Sequence, residues 1–447
     1  MTQTKTPEGG HSCPPKNGLE KLAAVTSKNN LNAFGSSPED WTEKSLGDIL
    51  TLNYGWSLPE KKRVPGDAPV YGSNGIVGTH QQALVASPGL IVGRKGSAGN
   101  VHYSREPFCP IDTTFYIAPS DTSLDIKFLY FLLLHIDLKR ILGDVGVPGL
   151  NREMAYKEKA RLPTGADEQR KIAGVLGLVQ RAMEQQERLL TLTAELKKTL
   201  LHQLFTQGLR GEPQKQTEIG PVPESWEVVT LGDIFHTQLG KMLSQKAHGG
   251  QAPKLYLRNK NVQWGRIDVT DLLEMDFNER ELAKHRLLPG DLLVCEGGEP
   301  GRAALWNGEI SECYYQKALH RLRPKDERAT NCFLAHWLMF SLKLQNLYGV
   351  AGASSTIAHL PEVQLKALPI PKPTRSEQDE ICVILEGADK KLDVVEKKHA
   401  ALTALFRTLL HQLMTAQIRV NDLDVEGILT QSVRENGDGL SLISAGA

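Results

Sequence analysis

TLLHQL fills residues 199–204, and the same six letters return at 408–413. The offset of 209 residues also superposes Glu168-Gln169 on Glu377-Gln378, and Ile172 on Ile381. A period that long is outside the range of solenoid repeats and marks a duplicated domain plus helix. Each copy closes a long helical segment. At alternating four- and three-residue steps the first reads Ile172, Leu176, Val179, Met183, Gln186, Leu190, Thr193, Lys197, Leu200 and Leu204. The second reads Ile381, Leu385, Ala388, Leu392, Val395, His399, Leu402, Phe406, Leu409 and Leu413. These are coiled-coil seams with a few polar breaks, on helices whose other faces are charged. Neither helix can bury such a stripe alone, so each is expected to pack on the other. The plainer alternative is two core helices of unrelated domains.

Working outward, WTEKSLGDIL at 41–50 opens one domain and WEVVTLGDIF at 226–235 a second, at an offset of 185, so the second carries about 24 extra residues. The order is a disordered extension (1–40), a first domain (41–165), a first long helix (166–209) and an extended linker with three prolines (210–225). A second domain (226–375), a second long helix (376–419) and a flexible tail (420–447) complete it. Short β-rich runs between glycine turns predict a curled sheet in each domain, followed by a helix at 124–142 and at 331–348. The fold class is therefore α+β.

With 447 residues, 40% hydrophobic and 23% charged, the chain has the composition of a soluble multidomain protein. Its longest apolar run, 128–134, is too short to cross a bilayer. Six cysteines with no C-x-x-C pair support neither a zinc site nor a disulfide scaffold, and a reducing cytoplasm fits them. A net charge of zero argues against a lone, tight nucleic-acid binder, though not against a subunit that reaches DNA through local basic loops.

Two glycine-rich turns are the sharpest local features. The first holds Arg94, Lys95, Ser97 and Asn100 among its glycines; its counterpart, EGGEPGR at 296–302, holds Gly298 and Arg302. Glycines let a backbone approach a surface closely, and these side chains are donors for phosphates and base edges. Tyr71, Ser73 and Asn74 near turns of the first domain, and Arg258, Asn259 and Asn261 near turns of the second, supply further polar groups and are candidate DNA contacts too. Taken singly, each is as well explained by a solvated hairpin turn. Neither turn fits a phosphate-binding loop, and N-P-P-[YF], H-E-x-x-H and G-x-S-x-G are all missing from the sequence. The thirteen histidines show no ligand spacing, and His202 and His411 are read as helix-surface contacts.

Together, PVYGSNGIVG, IVGRKGSAGNV and DTTFY in one domain, with YLRNKNVQWGRID, LLPGDLLVCEGGEPGRAALW and YQKALHRLRP in the other, resemble the specificity subunits of type I restriction–modification systems. The resemblance covers nearly all of 41–419 and includes the helix ending LLHQLFTQGLRGE. It implies two target recognition domains separated by two long helices that form an antiparallel coiled coil. Each domain would read one half of a bipartite site on double-stranded DNA. Two modification subunits would carry S-adenosylmethionine and methylate adenine, and restriction subunits would bring ATP, Mg and translocation. The chain itself would hold no cofactor or metal and no catalytic residue, and would work in a prokaryotic cytoplasm. The two glycine turns, with Lys317 in the YQKALHRLRP run, would contact DNA. The alternative is a coiled-coil scaffold with protein-binding lobes; a self-contained methyltransferase or nuclease is a third reading.

Overall fold

The structure, a computed structural model, describes residues 40–86, 88–142, 149–242, 253–348 and 359–420. The N-terminal extension and the tail lie outside the described residues, apart from Asp40 and Val420. The chain divides into two compact units. One holds the chain up to Glu187 together with Lys397 onward; the other runs from Arg188 to Glu396.

In the first unit β1 (Trp41–Ser45) leads into one helical turn, α1 (Leu46–Ile49). The Ser45 hydroxyl and amide both donate to Asp48, which caps the turn and holds the Asp48 carboxyl below its usual range. Seven strands follow: β2 (Asn53–Tyr54), β3 (Ala68–Gly72), β4 (Gly75–His80), β5 (Gly89–Gly93), β6 (Val101–Ser104), β7 (Cys109–Pro110) and β8 (Thr114–Ile117). They form two sheets rather than one curled sheet. One is antiparallel in the order β2-β8-β5-β6; the other is β4-β3-β7, with β3 and β7 parallel. The apolar run of β5 is buried along its whole length. It underlies α2 (Ile126–Ile136), which is shorter than the helix expected at 124–142. Asp125 caps its start by accepting from Lys127 and Phe128, and Asp137 ends it in the left-handed region at φ 52°. Then α3 (Arg152–Lys157) and β9 (Lys159–Pro163), paired with β1, deliver the chain to α4 (Ala166–Gln207).

The segment expected to be an extended linker is instead a hairpin, β10 (Gln214–Thr217) and β11 (Gly220–Pro223). Its Ile219 and Val222 are buried in the core of the second unit, an apolar pair too sparse to show as a stripe.

The second domain begins with β12 (Glu227–Thr230), α5 (Leu231–Ile234), β13 (Phe235–Leu239) and β14 (Pro253–Leu257). There follow β15 (Val262–Gln263), β16 (Arg266–Ile267), β17 (Leu273–Asp276), α6 (Glu279–His285), β18 (Leu292–Cys295), β19 (Ala303–Leu305), β20 (Tyr314–Tyr315) and β21 (Leu319–Pro324). The sheet orders repeat those of the first unit: β13-β21-β18-β19, and β17-β14-β20 with β14 and β20 parallel. The hairpin β15–β16 and helix α6 are additions within this domain. Next comes α7 (Asn331–Leu338), which passes into a π-helical segment over Met339–Leu344 rather than continuing as the regular helix expected to 348. Last are α8 (Glu362–Ala367), β22 (Pro369–Lys372), paired with β12, and α9 (Arg375–Met414).

Repeated letters mark repeated contacts. Gln169 is buried, accepts from the Asp125 amide and donates to the Pro163 carbonyl; Gln378 does the same with Thr330 and Pro373. Each glutamine thus ties the start of a long helix to the start of the domain helix beside it. All twenty seam positions of α4 and α9 are buried or half-buried. In the first unit Ile172, Val175 and Leu176 of α4 share a core with Leu409 and Leu413 of α9. In the second, Leu201 and Phe205 of α4 share one with Ile381 and Leu385 of α9. The two helices therefore run antiparallel, and Asp389 answers the polar break at Lys197 with an ion pair. Arg419, just past α9, grips Glu168 and Asp40 with its guanidinium. Among the described residues no helix is long and apolar enough to cross a membrane.

Candidate nucleic-acid interface

The β5–β6 and β18–β19 turns have the same backbone. The Gly93 and Cys295 amides donate to the Asn100 and Arg302 carbonyls at 2.8 Å, and the Gly99 and Gly301 amides donate back to Gly93 and Cys295 at 2.9 Å. Gly99 and Gly301 stand at φ +79° and +85°, where a Cβ would be strained. Each turn is anchored in three further places. Its second residue, Arg94 or Glu296, donates from its amide to the carbonyl of Thr113 or Ala318 and accepts from the amide of Leu150 or Leu360. The next residue, Lys95 or Gly297, bridges to Gly149 or His359. Its carbonyl accepts from a side chain just past a neighbouring strand, the Ser73 hydroxyl after β3 or the Asn259 amide after β14. Close by, Gly55 and Gly240 press so near the carbonyls of Ile111 and Gln316 that a Cβ would stand 2.2 and 2.3 Å from them.

Side chains differ where the backbone does not. In the first unit the Arg94 Nε donates to the Asp112 carbonyl at 3.1 Å, and its guanidinium lies 5.2 Å from the centroid of the Tyr54 ring. Arg152, at the start of α3, lies the same distance from that ring. Tyr54 is nevertheless 52% exposed, and Trp56, stacked on Tyr116 at 5.1 Å, is 41% exposed. Lys95 and Asn74 are exposed beside them, with the Ser97 hydroxyl 3.4 Å from Asn74 Oδ1. This face therefore joins two arginines, a lysine and two open aromatic rings to the polar groups of the turn; Asn100 is half-buried at its base.

Turn charges in the second unit are largely engaged. Arg302 donates to the Asn259 carbonyl at 2.8 Å and pairs with Glu299, and its side chain is only 15% exposed. Glu299 also accepts from the Trp264 indole. Arg258 pairs with Asp271 at 3.1 Å, and Lys260 pairs with the same carboxylate. Asn261, 2% exposed, donates to the Asp268 and Asp271 carbonyls. Gly298 and Lys317 are exposed, and the Lys317 amide donates to the Lys241 carbonyl. Under the turn, burial pushes the Cys295 thiol up to about 11, which leaves it an inert packing group.

Five of the residues expected to contact DNA thus have structural roles. Tyr71 packs in a small core with Val85 and Phe108, Ser73 and Asn259 hold the third residue of their turns, Asn261 satisfies backbone carbonyls, and Arg302 braces its own turn. Sequence reading missed Tyr54, Trp56 and Arg152. The aromatics flanking Gly55 in NYGWS are the signal that could have found the first two; nothing in the sequence brings Arg152 to them.

The family described as Type I restriction modification DNA specificity domain matches this chain twice, over residues 38–194 and 223–404. The chain belongs to that family. As a type I specificity subunit it serves DNA sequence recognition and is not itself an enzyme. The MjaVIII specificity subunit of a type I restriction enzyme from Methanocaldococcus jannaschii is 24% identical over 412 residues, 87% of this chain and 95% of that one. The MjaX specificity subunit of the same organism is 27% identical over 217 residues, 47% of this chain and 51% of that one, so the chain spans about half of that relative. The crystal structure of a type I restriction–modification S subunit from M. genitalium has the same fold, with a TM-score of 0.61 at 18% identity over 86% of this chain and 97% of that one.

Proposed function

We propose that each unit of this specificity subunit reads one half of a bipartite DNA site, and that the length of the α4–α9 pair sets the gap between the halves. The observation that carries this is the duplicated glycine turn: one backbone, held at the same anchor points, presents different side chains in each unit. A constant frame with variable contacts is what two readers of unlike sequences need. In the first unit Arg94, Lys95 and Asn74, with Tyr54, Trp56 and Arg152, face the duplex; in the second, Lys317 and the Gly298 turn do so. Two modification subunits dock on the chain and bring S-adenosylmethionine for adenine methylation, and restriction subunits bring ATP and Mg, all in the cytoplasm where the chromosome lies.

Mobility shift of duplexes by the chain assembled with its modification subunits tests this. The expected result is a shift that depends on sequence and weakens steeply with salt, since phosphate contacts release counterions. A complex that shifts every duplex equally, or none, would leave the scaffold reading standing instead.

A further inference from the structure

Equivalent backbone positions in the two units carry reversed charges. Arg94 and Glu296 occupy the same place, since their amides donate to Thr113 and Ala318 and their carbonyls accept from Leu150 and Leu360. One residue before those acceptors stand Asp112 in the first unit and Lys317 in the second, both exposed. A basic residue beside an acidic one has become an acidic residue beside a basic one, on an unchanged frame. We propose that residues 94 and 296 are the base-reading positions of their units. Arg94 donates to O6 and N7 of a guanine, and Glu296 accepts from an exocyclic amino group, cytosine N4 or adenine N6, in the major groove. This rests on the half-site reading above.

The side chains suit those roles. The Asp112 carbonyl and the Tyr54 ring hold the Arg94 guanidinium, with Nε and one N–H of Nη2 engaged. The outer edge, Nη1 and the second N–H of Nη2, is left as the parallel pair of donors that fits a guanine. An arginine already held in place loses less rotamer freedom when it binds. Glu296 is the converse. Ionised, it is an acceptor only, and phosphates repel it; against DNA it is favourable only where a base amino group donates to it. Among the described residues its carboxylate accepts no hydrogen bond, whereas Glu299 of the same turn is taken by the Trp264 indole and Arg302.

A carboxylate that only stands near the duplex makes the opposite prediction, because removing it would relieve repulsion and tighten binding to every sequence. The experiment first maps N6-methyladenine with the wild-type complex to obtain both half-sites. Affinities of wild-type, Arg94→Ala, Glu296→Ala and Glu296→Gln complexes are then measured on duplexes in which each half-site base is changed in turn, with thermal melts confirming that each variant folds. Glu296→Ala is expected to erase roughly 5- to 150-fold of discrimination at one position of one half-site, and Arg94→Ala to do so in the other half-site. Glu296→Gln, which keeps an acceptor and gains a donor, shifts that position towards adenine. Uniformly tighter binding by Glu296→Ala, or an unchanged base profile, overturns the assignment. A wild-type complex with no bipartite site would overturn the half-site reading itself.

Discussion

Ser73 and Asn259 differ in size and chemistry, yet both donate to the carbonyl of the third residue of a glycine turn. Such equivalence is invisible in the sequence, because insertions shift the spacing between copies and only the folded sheets bring the residues into register. Glycines were legible, since few other residues suit those turns; Tyr71 and Asn261 were misread because their polar atoms say nothing of which way the strand turns them. Buried titratable groups are equally hidden. Burial on α7 pushes His336 down to about 4, against the pull of Asp389 and Glu386 and helped by the charge of Lys197. The folded chain keeps this imidazole neutral, while the unfolded chain binds a proton below its ordinary value of 6.5. Stability from this group is complete above pH 6.5 and is lost at about 1.4 kcal/mol per pH unit as pH falls towards 4. Urea unfolding at pH 7, 6 and 5 should therefore show a shallower loss for His336→Gln than for wild type; equal slopes would contradict the assignment.

The long helices were the most legible elements, because a period of three and four residues is set by helix geometry alone. Their ends were less so, and the linker was misread, since a four-residue strand with one or two buried side chains carries little periodic signal. The seam also ranks substitutions. Leu176 is fully buried at the seam, whereas Leu196, on the same helix, is 55% exposed. Leu176→Ala is expected to cost about 2–5 kcal/mol and Leu196→Ala under about 0.5 kcal/mol, read as shifts in the urea midpoint. Comparable losses from both would mean that the outer face is packed as tightly as the seam. On the glycine turn, Ser73→Ala removes one anchor, a loss of about 1 kcal/mol of stability. Recognition should be disturbed in one half-site, with the other read as before; methylation mapping of that variant checks it.

Each unit is assembled from its own domain, the nearer half of one long helix and the nearer half of the other. That arrangement was legible from the order domain, helix, domain, helix and from identical helix endings. The sequence could not reveal how Arg419 would return to Glu168 and Asp40, because an ion pair across most of the chain leaves no local pattern. If α4 and α9 set the gap, lengthening both must lengthen it. Four residues inserted after Thr193, with four after Leu392, about one turn from the Lys197–Asp389 pair, extend the helices by about 6 Å. That is one to two base-pair rises of about 3.4 Å. The most direct test is N6-methyladenine mapping in cells carrying the modification subunits with either the wild-type or the lengthened chain. The same two half-sequences one or two base pairs further apart is the predicted result; altered half-sequences at an unchanged gap would contradict it.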